Sequence, residues 1–130
     1  MFERTQGGFR IIIRGRVRAE HAPGQPFLYA GRGRGRYDSL HGNFRVEEFL
    51  ESRLPLAHVR LEGDVLSFCA WEGGKPLVRA RLAQGKDAVT MTFLSAASGY
   101  NRFWFSLAGY AGERLYGLGE QMSYFNLKGR

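Results

Sequence analysis

At 130 residues the chain has the size of one domain and is too short for a barrel enzyme of about 250 residues. Hydrophobic residues make up 44% of it and charged residues 24%, a balance that builds a core and excludes an intrinsically disordered chain. Nineteen Lys and Arg stand against twelve Asp and Glu, a net charge of +7 carried almost wholly by arginine, so polyanions enter as partners to be tested.

The opening MFERTQGGFR carries charges at positions 3 and 4 and no apolar core of signal-peptide length, and no run approaches the roughly 18 apolar residues of a membrane span. Cys69 is the only cysteine, which permits neither an intrachain disulfide nor a cysteine zinc site. Together these predict a soluble, cytoplasmic chain with no membrane association. The first element, FRIIIRGRVRA, reads as one half-buried strand with Phe9, Ile11, Ile13 and Val17 on one face and Arg10, Arg14, Arg16 and Arg18 on the other. QPFLYAG is a short strand that Gly31 ends. GRGRGR, from Gly31 to Arg36, then supplies turns or bulges before Phe44, Val46 and Phe49 resume the alternation. In EEFLESRL, residues 47–54, the spacing of Phe49, Leu50, Arg53 and Leu54 fits a helical turn or two ahead of Pro55, and equally a bent edge strand.

From Leu56 onward the spacing is that of an antiparallel meander. Val59 and Leu61 lead to a two-residue hairpin turn at Gly63-Asp64, and VLSFCAW returns with Leu66 and Phe68 inward. After a turn at Gly73-Gly74-Lys75-Pro76, Val78, Ala80 and Leu82 alternate with Arg79 and Arg81. AQGKD turns the chain, and Val89, Met91 and Phe93 alternate with Thr90 and Thr92. In NRFWFSL, Phe103, Phe105 and Leu107 alternate with Arg102, Trp104 and Ser106. Some seven to nine short strands at this spacing predict an all-β antiparallel sandwich with little helix.

GRGRGR has the composition of arginine-glycine segments that bind single-stranded RNA, in which case Arg32, Arg34 and Arg36, with Arg14, Arg16 and Arg18, form a polyanion-binding surface. The plainer reading is a strand whose arginines face solvent while its glycines line a crowded inner face, which makes a nucleic-acid partner the weaker reading. Gly31, Gly33 and Gly35, or Gly117 and Gly119, lack a third glycine in register and open no helix, so neither is a phosphate loop. His21, His41 and His58 lie about twenty residues apart and give no local metal signature. Cys69 sits among strand residues as a buried thiol, no serine occupies a Gly-x-Ser-x-Gly frame, and neither Glu47 with Glu48 nor Glu113 with Glu120 forms an acid and nucleophile pair. No residue is assigned to catalysis or to a metal.

GYNRFWFSLAGYAGERLYGLGEQMSYFNLKGR, residues 99–130, resembles the end of the N-terminal domain of the family 31 glycoside hydrolases, which are retaining α-glycosidases. Tyr116, Gly117, Leu118, Gly119, Glu120, Gln121, Phe125, Leu127, Lys128 and Gly129 carry the pattern. Upstream, FLYAGRGRGRYDSLHGNFRVEEF resembles the sulfoquinovosidase branch of that family through its Ala-Gly turn, Gly42-Asn43-Phe44 and Val46-Glu47-Glu48; the α-glucosidase branch is the next nearest pattern. The resemblance implies a galactose-mutarotase-like β-sandwich over residues 1–111. It implies a junction segment over residues 112–130, leading toward a catalytic (β/α)8 barrel of the same parent chain that supplies two aspartates about 5 Å apart. No cofactor is implied, and the parent's substrate is an α-glycoside. Gly117, Gly119, Glu120 and Gln121 are then expected at the domain junction or in the wall of the substrate pocket. Two further expectations concern the 130-residue chain itself. It hydrolyses nothing alone, and it self-associates through a barrel-facing surface that includes Trp104 or the aromatics Tyr124 and Phe125.

Overall fold

The computed structural model describes residues 1–114, with Leu40 and Phe44 as backbone only. Ten strands and no helix are found among them: β1 (Phe2–Thr5), β2 (Gly8–Ile13), β3 (Arg16–His21), β4 (Leu28–Leu40), β5 (Asn43–Pro55), β6 (His58–Glu62), β7 (Val65–Cys69), β8 (Val78–Gln84), β9 (Val89–Ala96) and β10 (Arg102–Phe105). They form three antiparallel sheets with the orders β1-β2-β3, β10-β4-β5 and β6-β7-β8-β9. The all-β antiparallel sandwich predicted from spacing is the fold observed.

The core lies where the inward faces of the three sheets meet. Phe9, Ile11 and Ala19 come from the first, Leu28 and Ala30 from the second, and Leu66, Phe68, Val78, Ala80 and Leu82 from the third, with Phe27 and Leu56 from the connections. Each fully buried Phe or Leu stabilises the fold by about 1.5–3 kcal/mol relative to exposure, so this cluster supplies the main cohesive term. The hairpin expected at Gly63-Asp64 joins β6 to β7, with Gly63 at φ 62. Leu66 and Phe68 are buried, and the alternation of Val78, Ala80 and Leu82 against Arg79 and Arg81 holds throughout β8. Cys69 is buried, as its strand position predicts.

Three readings are corrected. FRIIIRGRVRA is not one strand: Arg14 (φ 51) and Gly15 (φ 73) both enter the left-handed region, the requirement of the two-residue turn that fits the twist of a hairpin, and the segment folds into β2 and β3. GRGRGR neither ends a strand nor turns; it runs through the middle of β4, where β5 supplies its ladder partners. Residues 47–54 are strand, not helix, because the turn at His41 (φ 50) and Gly42 (φ 82) sends the chain straight back along β4. The bent edge strand was the correct alternative: β5 ends its sheet and bulges opposite Arg32 and Gly33.

Candidate functional site

The bulge in β5 determines what the outer face of the β10-β4-β5 sheet displays. On one side of it Gly31 pairs with Arg53; on the other Gly33 pairs with Leu50, so Glu51 is the extra residue. The change of parity brings Arg53, Leu50, Glu48 and Val46 to the same face as Tyr29, Gly31, Gly33, Gly35 and Tyr37. From β10, Arg102 and Trp104 join them. The Arg53 guanidinium lies 4.4 Å from the centre of the Tyr29 ring and 5.2 Å from that of Trp104, within cation–π reach of both. Arg102 donates from Nε to Glu48 Oε1 at 2.5 Å and from Nη2 to Oε2 at 3.0 Å, a bidentate grip that holds the Glu48 carboxyl below the usual carboxylate range.

These side chains lie across the glycines. A methyl group at Gly31 would come within 2.9 Å of the Trp104 ring and 2.1 Å of the Ser52 carbonyl oxygen; one at Gly33 would meet Glu48 Oε1 at 2.6 Å. The glycines therefore form a floor under their neighbours; the crowding expected of a strand is found, but on the outer face of the sheet and not the inner one. Asn101 completes the arrangement by standing in for a strand. Its side chain accepts from the Gly33 N–H at 2.9 Å and donates to the Gly33 carbonyl at 3.0 Å. Asn101→Ala strands both groups and is expected to cost about 1–3 kcal/mol, read as a lowered denaturation midpoint with unchanged slope.

A second surface is the rim of β3. Glu113 Oε1 accepts from Arg18 Nη1 at 2.5 Å and from Arg16 Nη1 at 3.4 Å, while its Oε2 accepts from the Tyr110 N–H at 2.9 Å. Tyr110 donates its hydroxyl to the Val17 carbonyl at 2.8 Å and lies under both guanidinium groups. The Tyr110 amide first, then Arg18, lowers the Glu113 pKa. The arrangement is a clasp that ties the segment after β10 to β3.

The arginines proposed as a polyanion surface are thus divided and partnered. Arg16 and Arg18 hold Glu113; Arg34 pairs with Glu51 at 2.8 Å, Arg36 with Asp38 at 3.2 Å, and Arg14 approaches Asp87 at 3.9 Å. Arg32 lies over the Tyr100 ring. Arg16 and Arg18 sit on β3 and Arg32, Arg34 and Arg36 on β4, in two different sheets, with Arg14 in the turn between β2 and β3. His21 is wholly buried: Nδ1 accepts from the Phe27 N–H at 3.2 Å and Nε2 donates to the Ala57 carbonyl at 3.0 Å, which assigns the neutral tautomer. Among the described residues no group of three or more His, Cys, Asp or Glu could hold a metal.

Gly117, Gly119, Glu120 and Gln121, with Tyr124 and Phe125, lie outside the described residues. Trp104 is half-buried and lies against Arg53 on the outer face, which also carries the exposed Leu50, Val46 and Tyr37. Exposed apolar side chains also lie on the opposite face of β10, where Phe103 and Phe105 are 41% and 54% exposed, and on β9, where Phe93 is 51% exposed. Sequence reasoning missed Arg53, Tyr29 and Asn101 as partners, because the bulge that aligns Arg53 with the glycine face carries no signal in composition or period.

No family model matches the chain. Two curated relatives do: a sulfoquinovosidase of Agrobacterium fabrum, 36% identical over 99% of this chain and 19% of the relative, and a sulfoquinovosidase of Escherichia coli, 24% identical over 99% of this chain and 20% of the relative. The chain therefore spans about one fifth of the length of the relatives it matches. Among solved structures it resembles a family 31 sulfoquinovosidase from E. rectale in complex with an aza-sugar inhibitor, with a TM-score of 0.81 and 31% identity over 100% of this chain and 19% of that one. The matched region is the N-terminal portion of these enzymes, and the chain belongs to the family 31 glycoside hydrolases as an N-terminal β-sandwich domain.

Proposed function

We propose that this chain is the non-catalytic N-terminal β-sandwich of a retaining α-glycosidase of the sulfoquinovosidase branch, and that it supports a catalytic barrel supplied by the rest of its parent. The carrying observation is the match of the whole chain to one fifth of two sulfoquinovosidases. The described surface supports the same reading. Retaining hydrolysis needs two carboxyl groups about 5 Å apart across a sugar. Here Glu48, Glu51, Asp38, Glu47 and Glu113 are each held by arginine, and two recesses among the described residues are lined mainly by apolar side chains.

Residues 1–111 are read as the sandwich and residues 112–130 as the junction, with the clasp at Glu113 fixing where the junction leaves the sandwich. Gly117, Gly119, Glu120 and Gln121 are proposed for that junction or the adjoining pocket wall. The single thiol, Cys69, is buried, and a cytoplasmic setting suits it.

The test is the reading frame beyond codon 130. A frame that encodes a barrel, and whose full-length product releases an α-linked sulfoquinovoside aglycone with retention while residues 1–130 alone release none, is the expected result. Hydrolysis by residues 1–130 alone, or a full-length product without glycosidase activity, overturns the reading.

A further inference from the structure

From Ser106 to Glu113 the chain is fastened to the sandwich at successive points. The Ser106 N–H bonds the Phe27 carbonyl at 3.1 Å, and the Ala108 N–H bonds the Arg18 carbonyl at 2.8 Å. The Tyr110 hydroxyl then reaches the Val17 carbonyl. Residues 110–113 close a tight turn, in which Gly112 takes φ 79 and the Glu113 N–H returns to the Tyr110 carbonyl at 3.2 Å.

The Glu113 carboxylate does more than close this turn. Its Oε2 accepts from the Tyr110 N–H at 2.9 Å, which locks the turn on itself, while Oε1 is held by Arg18 Nη1 at 2.5 Å and less closely by Arg16 Nη1 at 3.4 Å. A backbone turn alone leaves the direction of the chain free to swing. Charge-assisted bonds to two arginines give it a fixed bearing on β3, a strand anchored in the core by Ala19 and His21.

Six residues separate Glu113 from Glu120, a span of at most about 25 Å of extended chain. Residues 117–121 therefore set out from a fixed point in a fixed direction. Such control matters in a pocket wall, because a binding group has to be held within about 0.5 Å of its productive place. A misplacement of about 1 Å, even from a change far from the chemistry, can cost about 100-fold.

We infer that Glu113, locked by Arg18 and Arg16, is a positioning residue for substrate binding in the parent enzyme: it sets Gly117, Gly119, Glu120 and Gln121 in the wall of the substrate pocket and so raises affinity for the glycoside. The inference rests on the reading under "Proposed function" and deepens it, making the junction a determinant of affinity as well as a connection.

The experiment measures KM and kcat separately for the full-length parent acting on an α-linked sulfoquinovoside. Glu113→Gln keeps the shape of the side chain but replaces one acceptor oxygen by an NH2 donor, so it cannot satisfy both the Tyr110 N–H and the arginines. It is expected to raise KM about tenfold with kcat changed less than about twofold. Arg18→Gln should raise KM nearly as much. Arg16→Gln should have a smaller effect, since its contact is longer and its side chain is 54% exposed. A clasp that served stability alone would lower the melting temperature and the active fraction, hence the apparent kcat, and leave KM where it was.

An unchanged KM in both Glu113→Gln and Arg18→Gln, or a loss confined to kcat, overturns the positioning role and leaves the proposed function standing. Should Glu113→Gln fail to fold, the half-exposed Arg18 and Arg16 carry the test, and an unchanged KM in both of their variants overturns the role equally. Failure of the proposed function is recognised separately, by an unsubstituted full-length product without glycosidase activity.

Discussion

Gly31→Ala is expected to destabilise the sandwich by about 1–3 kcal/mol or more, the usual cost of forcing atoms into a packed site, whereas Gly35→Ala, two positions along the same repeat, is expected to be close to neutral. The difference follows from what a single methyl group meets. At Gly31 it would stand 2.1 Å from the Ser52 carbonyl oxygen and 2.9 Å from the Trp104 ring; at Gly35 the nearest atoms are 3.5 Å away. The Ser52 oxygen belongs to β5, the ladder partner of β4, so it yields only if the strands part, and the Trp104 ring yields only by leaving its place with Arg53. Gly33→Ala should fall between the two, because its obstacle is the end of the Glu48 side chain, which can swing away by loosening from Arg102. Urea denaturation of the three variants reads the order directly. A flexible arginine-glycine arm predicts three similar and small effects, so an equal response at positions 31 and 35 would sink the account of the glycines as a packed floor.

The fold was legible in this sequence wherever period two ran without interruption. Val78, Ala80 and Leu82 face inward with Arg79 and Arg81 outward, and Val59, Leu61, Leu66 and Phe68 pack as alternation requires, because in these stretches nothing but side-chain parity decides the face. It was illegible where a residue was inserted. The bulges at Arg18, Glu51 and Leu94 each shift the register by one, so the residues beyond them exchange faces without any change in composition. The glycines of GRGRGR misled in the same way: glycine in a strand often marks a bend, but here it marks close approach, and only the partners Trp104, Arg102 and Glu48 show which. Phe93, Phe103 and Phe105 keep the alternation the sequence shows and are nevertheless half-exposed. Parity tells which way a side chain points; it does not tell whether anything lies opposite. The resemblance to family 31 enzymes came from motifs at 116–129 and 27–49, and that is the level at which the sequence spoke of this function.

His21→Ala is expected to cost at least about 3 kcal/mol, a large share of the 5–15 kcal/mol that holds a typical domain together. Two losses combine. The imidazole fills space between Phe9, stacked at 5.6 Å, and Phe68, edge-on at 6.0 Å, so its removal opens a cavity in the centre of the core. It also bridges the Phe27 N–H and the Ala57 carbonyl, which joins the connection before β4 to the one before β6. Protonation should weaken the same site more gently. Burial is the main cause that lowers the His21 pKa below its ordinary value, with the Ala57 carbonyl opposing and the nearby His58 charge adding to it. The unfolded chain therefore takes up a proton near pH 6.5 while the native core still refuses one. Stability due to the neutral ring is complete above that pH and declines as the pH falls from about 6.5 toward the native value. Glu113 and Glu48, whose pKa values are lowered, hold their contribution above the ordinary carboxylate range and lose it only as the pH falls through that range, so acid unfolding should proceed in two stages. His21→Phe separates them: it leaves Phe27 N–H and Ala57 C=O unbonded, at about 1–3 kcal/mol, but removes the proton-linked part. Melting temperatures measured from pH 8 to pH 5 should fall less steeply for His21→Phe than for the parent chain. Parallel profiles for the two would assign the early stage to another group and leave His21 as a purely structural hydrogen-bonding residue.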